Sequence, residues 1–97
     1  MIRIVRMTFK ESETSLFLKI FDESKEKIRA FEGCNHLELL QDVHDSNVYS
    51  TYSYWESEGH LNQYRKSELF GIVWSKTKKL FSEKPVAHSY QQKVKLD

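Results

Sequence analysis

The sequence predicts an α+β fold of order β-α-β-β-α-β, one ferredoxin-like domain spanning residues 1–97 with an antiparallel sheet and helices on one face. Three observations predict it. Residues 2–9, "IRIVRMTF", alternate and are rich in β-branched side chains, the pattern of a strand. From Ser12 to Phe31 the apolar residues change to steps of three and four, the stripe of an amphipathic helix. Two further alternating runs, "HLELLQDV" (36–43) and "NVYSTYSYW" (47–55), lie either side of a short turn, which makes them an antiparallel hairpin.

Each element has its local signals. The first strand puts Val5, Met7 and Phe9 on its odd face and Ile2, Ile4 and Arg6 on its even face, so both faces are partly apolar. The first helix carries Leu16, Phe17, Ile20, Phe21, Ser24, Ile28 and Phe31 on one stripe. Ser12 is its expected N-cap, with Glu13 in the first turn, and Gly33 is its stop. Asp45, Ser46 and Asn47 supply the hairpin turn. In the third strand Val48, Ser50, Tyr52 and Tyr54 share one face, and Tyr49, Thr51, Ser53 and Trp55 the other. Ser57 is the expected cap of a second helix with Leu61 and Tyr64 inward. Ser67 restarts it, with Phe70, Val73, Trp74, Thr77 and Phe81 at helical steps. After Pro85, "VAHSYQQKV" (86–94) reads as the last strand. The helices cover one face of the sheet. The other is too apolar to stand wet, which predicts a second sheet from a two-fold partner.

Bulk composition excludes several classes. The 97 residues carry 15 basic and 14 acidic side chains, a net charge of +1, so nothing favours nucleic acid or an anionic membrane as a partner. Lys76, Lys78 and Lys79 form the densest basic run and read as a solvated helix face. No apolar stretch approaches the ~20 residues of a membrane span, and the N-terminus lacks the apolar core of a signal peptide. One cysteine, Cys34, has no internal disulfide partner and reads as a small buried hydrophobe. The expected location is the cytoplasm. Four histidines, at 36, 44, 60 and 88, show no metal-ligand spacing, and no metal or cofactor is expected.

What the composition does supply is rings. Two Trp, five Tyr and six Phe can each bury roughly 150–250 Å². They gather around "YWESEGHLNQYRKS" (54–67), where the chain passes from a strand to a helix. Those rings serve either as core or as the lining of a slot for a flat molecule.

In order and spacing the chain resembles the antibiotic biosynthesis monooxygenase-like family of dimeric α+β barrels. The likeness rests on "FEGC" (31–34), "LELLQD" (37–42), "YSYWESEGHLNQYRKSELF" (52–70), Trp74 and "FSEKPVAHSY" (81–90). It implies a homodimer with a small-molecule pocket between helices and sheet, and for some members a cofactor-independent oxidation of a phenol or quinol. Trp55, Tyr64 and Trp74 are the implied catalytic residues, with Thr51, Tyr52, His60, Asn62 and His88 as candidate substrate contacts. Thr51 is the nearest counterpart of a central-strand asparagine found in the oxidising members. His60 or His88 is the candidate base, since an unperturbed imidazole titrates near pH ~6.5. The haem-degrading members of the family carry an asparagine on the first strand and a histidine ligand where this chain has Trp74. An indole offers only a donor N–H, so that route is not expected. The alternative reading is a non-oxidative binding protein or isomerase on the same fold.

Overall fold

A computed structural model describes residues 1–97. Its four strands are β1 (Ile2–Thr8), β2 (Cys34–Gln41), β3 (Val48–Trp55) and β4 (Val86–Tyr90). They form one antiparallel sheet in the order β2-β3-β1-β4. The helices are α1 (Thr14–Arg29), α2 (Glu58–Arg65) and α3 (Glu68–Thr77). This is the ferredoxin-like α+β order expected from the sequence.

Parity organises the sheet. In β1 and β3 the odd residues face the helices. Met7, Phe9, Phe17, Tyr49 and Leu80 make one buried cluster. Ile28, Cys34, Trp55, Leu61 and Tyr64 make a second at the other end of the same layer. Even residues such as Ile4, Tyr52 and Tyr54 face away, with Leu40 43%, Val86 48% and Tyr90 50% exposed beside them.

Local chemistry sets the helix limits. Ser57 Oγ accepts from the His60 N–H at 3.2 Å and caps α2. Ser67 Oγ accepts from the Phe70 N–H at 3.1 Å and caps α3, while its own hydroxyl donates to the Tyr64 carbonyl at 2.6 Å. One serine therefore joins the end of one helix to the start of the next. Gly33 takes φ +89°, the left-handed conformation anticipated beyond α1.

Several boundaries differ from expectation. Ser12 does not cap α1: residues 11–13 form a 3₁₀ turn, and Thr14 Oγ1 donates back to the Glu11 carbonyl at 3.2 Å. Leu16 and Leu18, which lie towards the outer side of α1, are 45% and 40% exposed. The strand β2 begins at Cys34, with a register irregularity between Cys34 and His36. The helix α3 ends at Thr77, so Phe81 is not helical; it bridges Phe9 instead. The last strand stops at Tyr90, after which residues 91–97 extend without regular structure.

Candidate functional site

A cavity of about 270 Å³ lies between the sheet and the helices. Its floor comes from inward residues of the sheet: Val5 and Met7 of β1, Leu37 of β2, Thr51 and Ser53 of β3, and Ala87 of β4. Phe17, Phe21 and Ile28 of α1 form one wall, and Leu61, Tyr64, Phe70 and Trp74 of α2 and α3 form another.

Trp55 is 1% exposed. Its Nε1–H donates to Ser53 Oγ at 2.9 Å, and the Ser53 hydroxyl donates to the Arg3 carbonyl at 3.4 Å. Residues two apart on a strand share a face, which is why Ser53 reaches the indole. The N–H of Trp55 is thus occupied within the protein, and the residue offers the cavity its ring.

Tyr64 stacks on Trp55 with centroids 5.0 Å apart and 26° between planes. Phe31 and Phe70 meet it edge-on at 5.3 Å and 5.2 Å. Burial, with a smaller effect from the nearby Cys34 thiol, pushes the phenol well above the usual tyrosine range. It therefore stays protonated at neutral pH and can donate. Trp74 stacks on Phe70 at 5.7 Å and 13° and meets Phe81 edge-on at 5.5 Å. Every fully buried polar side-chain atom of the protein has a hydrogen-bond partner. The Tyr64 hydroxyl and the Trp74 N–H have no partner within the protein, so both reach open space.

The cavity also holds two charges. Arg3, half-buried on the inward face of β1, and Arg65, exposed at the end of α2, both line it. Burial and then the proximity of Arg65 hold the Arg3 guanidinium below its ordinary pKa. No lining side chain is His, Asp or Glu.

The residues singled out from the sequence divide into two groups. Trp55, Tyr64, Trp74 and Thr51 come together around the cavity. Tyr52 does not: it is an even residue of β3 and meets His36 edge-on at 5.7 Å on the opposite face. His88 also lies there, registered with Ile4 and exposed. His60 sits at the first turn of α2, where Nδ1 shares a hydrogen bond of 2.7 Å with Ser57 Oγ and the ring covers Gly33. Asn62 is exposed on α2 and does not line the cavity. Neither candidate base therefore reaches it, because strand parity turns one outward and Gly33 receives the other. Sequence reasoning missed Arg3, Arg65 and Ser53. The parity that assigned Val5 and Met7 inward also assigns Arg3 inward, and that was the available signal.

No three His, Cys, Asp or Glu side chains stand together in a way that could hold a metal ion. No helix is long and apolar enough to cross a membrane.

Solved structures share the fold over nearly the whole chain. A conserved protein from Methanosarcina mazei matches with a TM-score of 0.89 at 20% identity, covering 95% of this chain and 92% of that one. A structure described as an antibiotic biosynthesis monooxygenase matches with a TM-score of 0.88 at 16% identity, covering 97% and 100%. A protein from Pseudomonas aeruginosa matches at 0.78 and 20% identity, covering 94% and 93%. At such identities the likeness establishes the fold alone. No curated protein matches the chain in sequence. The sequence model of one family, described as antibiotic biosynthesis monooxygenase, matches residues 1–71. That match takes in β1 through the first turn of α3, with the floor residues of β1, β2 and β3 and the Trp55–Tyr64 stack, and it makes this chain a member of the antibiotic biosynthesis monooxygenase family.

Proposed function

We propose that the protein is a monooxygenase that oxidises a small phenol or quinol with dioxygen, without a bound cofactor, in the cavity between helices and sheet. What supports the reading is a ring-walled cavity whose lining includes two residues with unpartnered donors, Tyr64 with its hydroxyl and Trp74 with its N–H. Family membership points the same way.

The chemistry asks little of the protein. For a phenolic ring bearing a methylene, the substrate anion passes electrons to dioxygen, one oxygen atom enters the product as a carbonyl, and the other leaves as water. The CH₂ carbon supplies all four electrons, so no external reductant is required. Tyr64 and Trp74 donate to the substrate oxygen as its negative charge develops, and Trp55 supports the Tyr64 ring. Thr51 lies on the floor beneath. With no His or carboxylate lining the cavity, the substrate proton leaves to water, favoured by the positive charge of Arg3 and Arg65.

The protein works as a homodimer through the face of the sheet opposite the helices. The absence of a lining base favours one second reading, a non-oxidative binding protein or isomerase that uses the same cavity.

Oxygen uptake separates the two. Chelator-treated protein supplied with anthrones, naphthoquinols and electron-rich phenols should consume oxygen above the uncatalysed rate. Tyr64→Phe should lower kcat by about a hundredfold or more, the scale of losing one oxyanion donor. If a substrate binds and no uptake follows, the oxygenase reading fails and the non-oxidative one replaces it.

A further inference from the structure

The cavity has two chemically different ends. Arg3, Val5 and Met7 follow one another on the inward face of β1, so Arg3 and Met7 stand roughly 13 Å apart along the strand. The Met7 end is apolar and closes on Phe17 and Phe21. At the other end are two guanidinium groups.

Those two groups lack counter-ions. Acids lie within 4 Å of Arg6 (Asp42), Lys25 (Asp22) and the His36 ring (Glu38), and none lies that close to Arg3 or Arg65. The remaining arginine, Arg29, donates from Nη1 to the Cys34 carbonyl at 2.8 Å. Arg3 spends one N–H on Ser89 Oγ at 3.0 Å, and a guanidinium has five. Two like charges border one largely apolar cavity with no acid within 4 Å of either, and their mutual repulsion carries a cost that falls on the half-buried Arg3. A bound anion removes that cost, and a planar carboxylate matches the guanidinium fork.

Resting on the reading of this cavity as the substrate site, we propose that Arg3 and Arg65 form an anion subsite and that the substrate is a flat aromatic acid. Its ring body lies over Val5 and against Trp74, and its carboxylate lies between the two guanidinium groups. The subsite fixes which end of the molecule enters, and so which ring position is presented to the Tyr64 hydroxyl.

Equilibrium binding by calorimetry, without oxygen, tests this with three probes: 2-naphthoate, 2-naphthyl phosphate and the neutral 2-naphthalenemethanol. Naphthoate should bind about tenfold or more tighter than the alcohol, as a charge-assisted contact requires. Arg65→Gln and Arg3→Gln should each reduce that preference, and added salt should weaken binding of the acid but not of the alcohol. Arg65 is exposed and its variant should melt like the parent; if Arg3→Gln does not fold, Arg65→Gln and the salt series still test the subsite. Equal affinity for acid and alcohol, failure of naphthoate to bind, or a preference untouched by either substitution would overturn the proposal. Tighter binding of the phosphate would keep the anion subsite and overturn the carboxylate. Because oxygen is absent, this outcome is independent of the uptake experiment, and either proposal can fail without the other.

Discussion

Gly33 and His60 are a matched pair. The glycine lies at φ +89°, and a Cβ placed there would meet His60 Cβ and Cγ at 2.5 Å. Two separate penalties therefore bear on Gly33→Ala, backbone strain of about 1–3 kcal/mol and displacement of the imidazole. They are separable. In denaturant unfolding Gly33→Ala should be strongly destabilised, and adding His60→Ala should recover the part due to the ring, leaving the backbone share and the contact with the Cβ that alanine keeps. No recovery would mean that the imidazole shifts aside without cost. This packing also accounts for the position of His60 away from the cavity: its ring meets Ser57 on one side and the glycine on the other. A single sequence marks Gly33 as a helix stop, but the partner that covers it lies 27 positions further on (60 minus 33) and leaves no local trace.

At the scale of elements, the hairpin of β2 and β3 depends on Asp42. Its carboxylate accepts from the backbone N–H groups of His44 and Asp45, each at 3.0 Å, and faces Arg6 Nη1 at 3.4 Å. The N–H of Asp45, then that of His44, then Arg6, hold the acid below the usual carboxylate range. A depressed folded-state pKa means that the unfolded chain binds the proton more readily. The stability Asp42 contributes is thus fully present above its unfolded value near ~3.9 and is lost as pH falls through the lower folded value. Asp42→Asn should be less stable than the parent at neutral pH, and the gap should close in acid; a gap of constant size from neutral pH to strong acid would show that the charge is not its origin. Elements were legible wherever their cause was local. Ser57 and Ser67 cap the helices expected of them because a capping hydroxyl acts within three residues. Ser12 failed because its neighbours take a 3₁₀ turn first, and Phe81 failed because its pairing with Phe9 is tertiary. For the site, the stack of Trp55 and Tyr64 follows from a strand leading directly into a helix. Tyr52 was excludable by the parity that admits Thr51. The outward turn of His88 depends on the register of β4 against β1, which no local pattern encodes.

Across the whole molecule, one face of the sheet is covered by helices and the other is open. Ile4 lies at the centre of the open face on β1, with Tyr52 registered on one side and His88 on the other. Tyr54, Leu40, Val86 and Tyr90 extend the apolar surface, and charges stand among it at Glu38 and Arg6. Aromatic and aliphatic side chains mixed with a few charges make the composition of an interface core and its rim. An exposed patch of this kind on a sheet needs a cover, and a second copy presenting the same surface supplies one by a two-fold axis. Light scattering at micromolar concentration should therefore give twice the 11.6 kDa of the chain. Ile4→Asp should yield monomers, because it places an unpaired charge at the buried centre of the contact, where its desolvation goes uncompensated. Ile4 points away from the cavity, so the monomer should keep its β1 pairing and its affinity for the naphthoate probe. A parent protein that remains a monomer at those concentrations would defeat the dimer. A monomeric Ile4→Asp that no longer binds the probe would show instead that the second copy is needed to hold the cavity in shape.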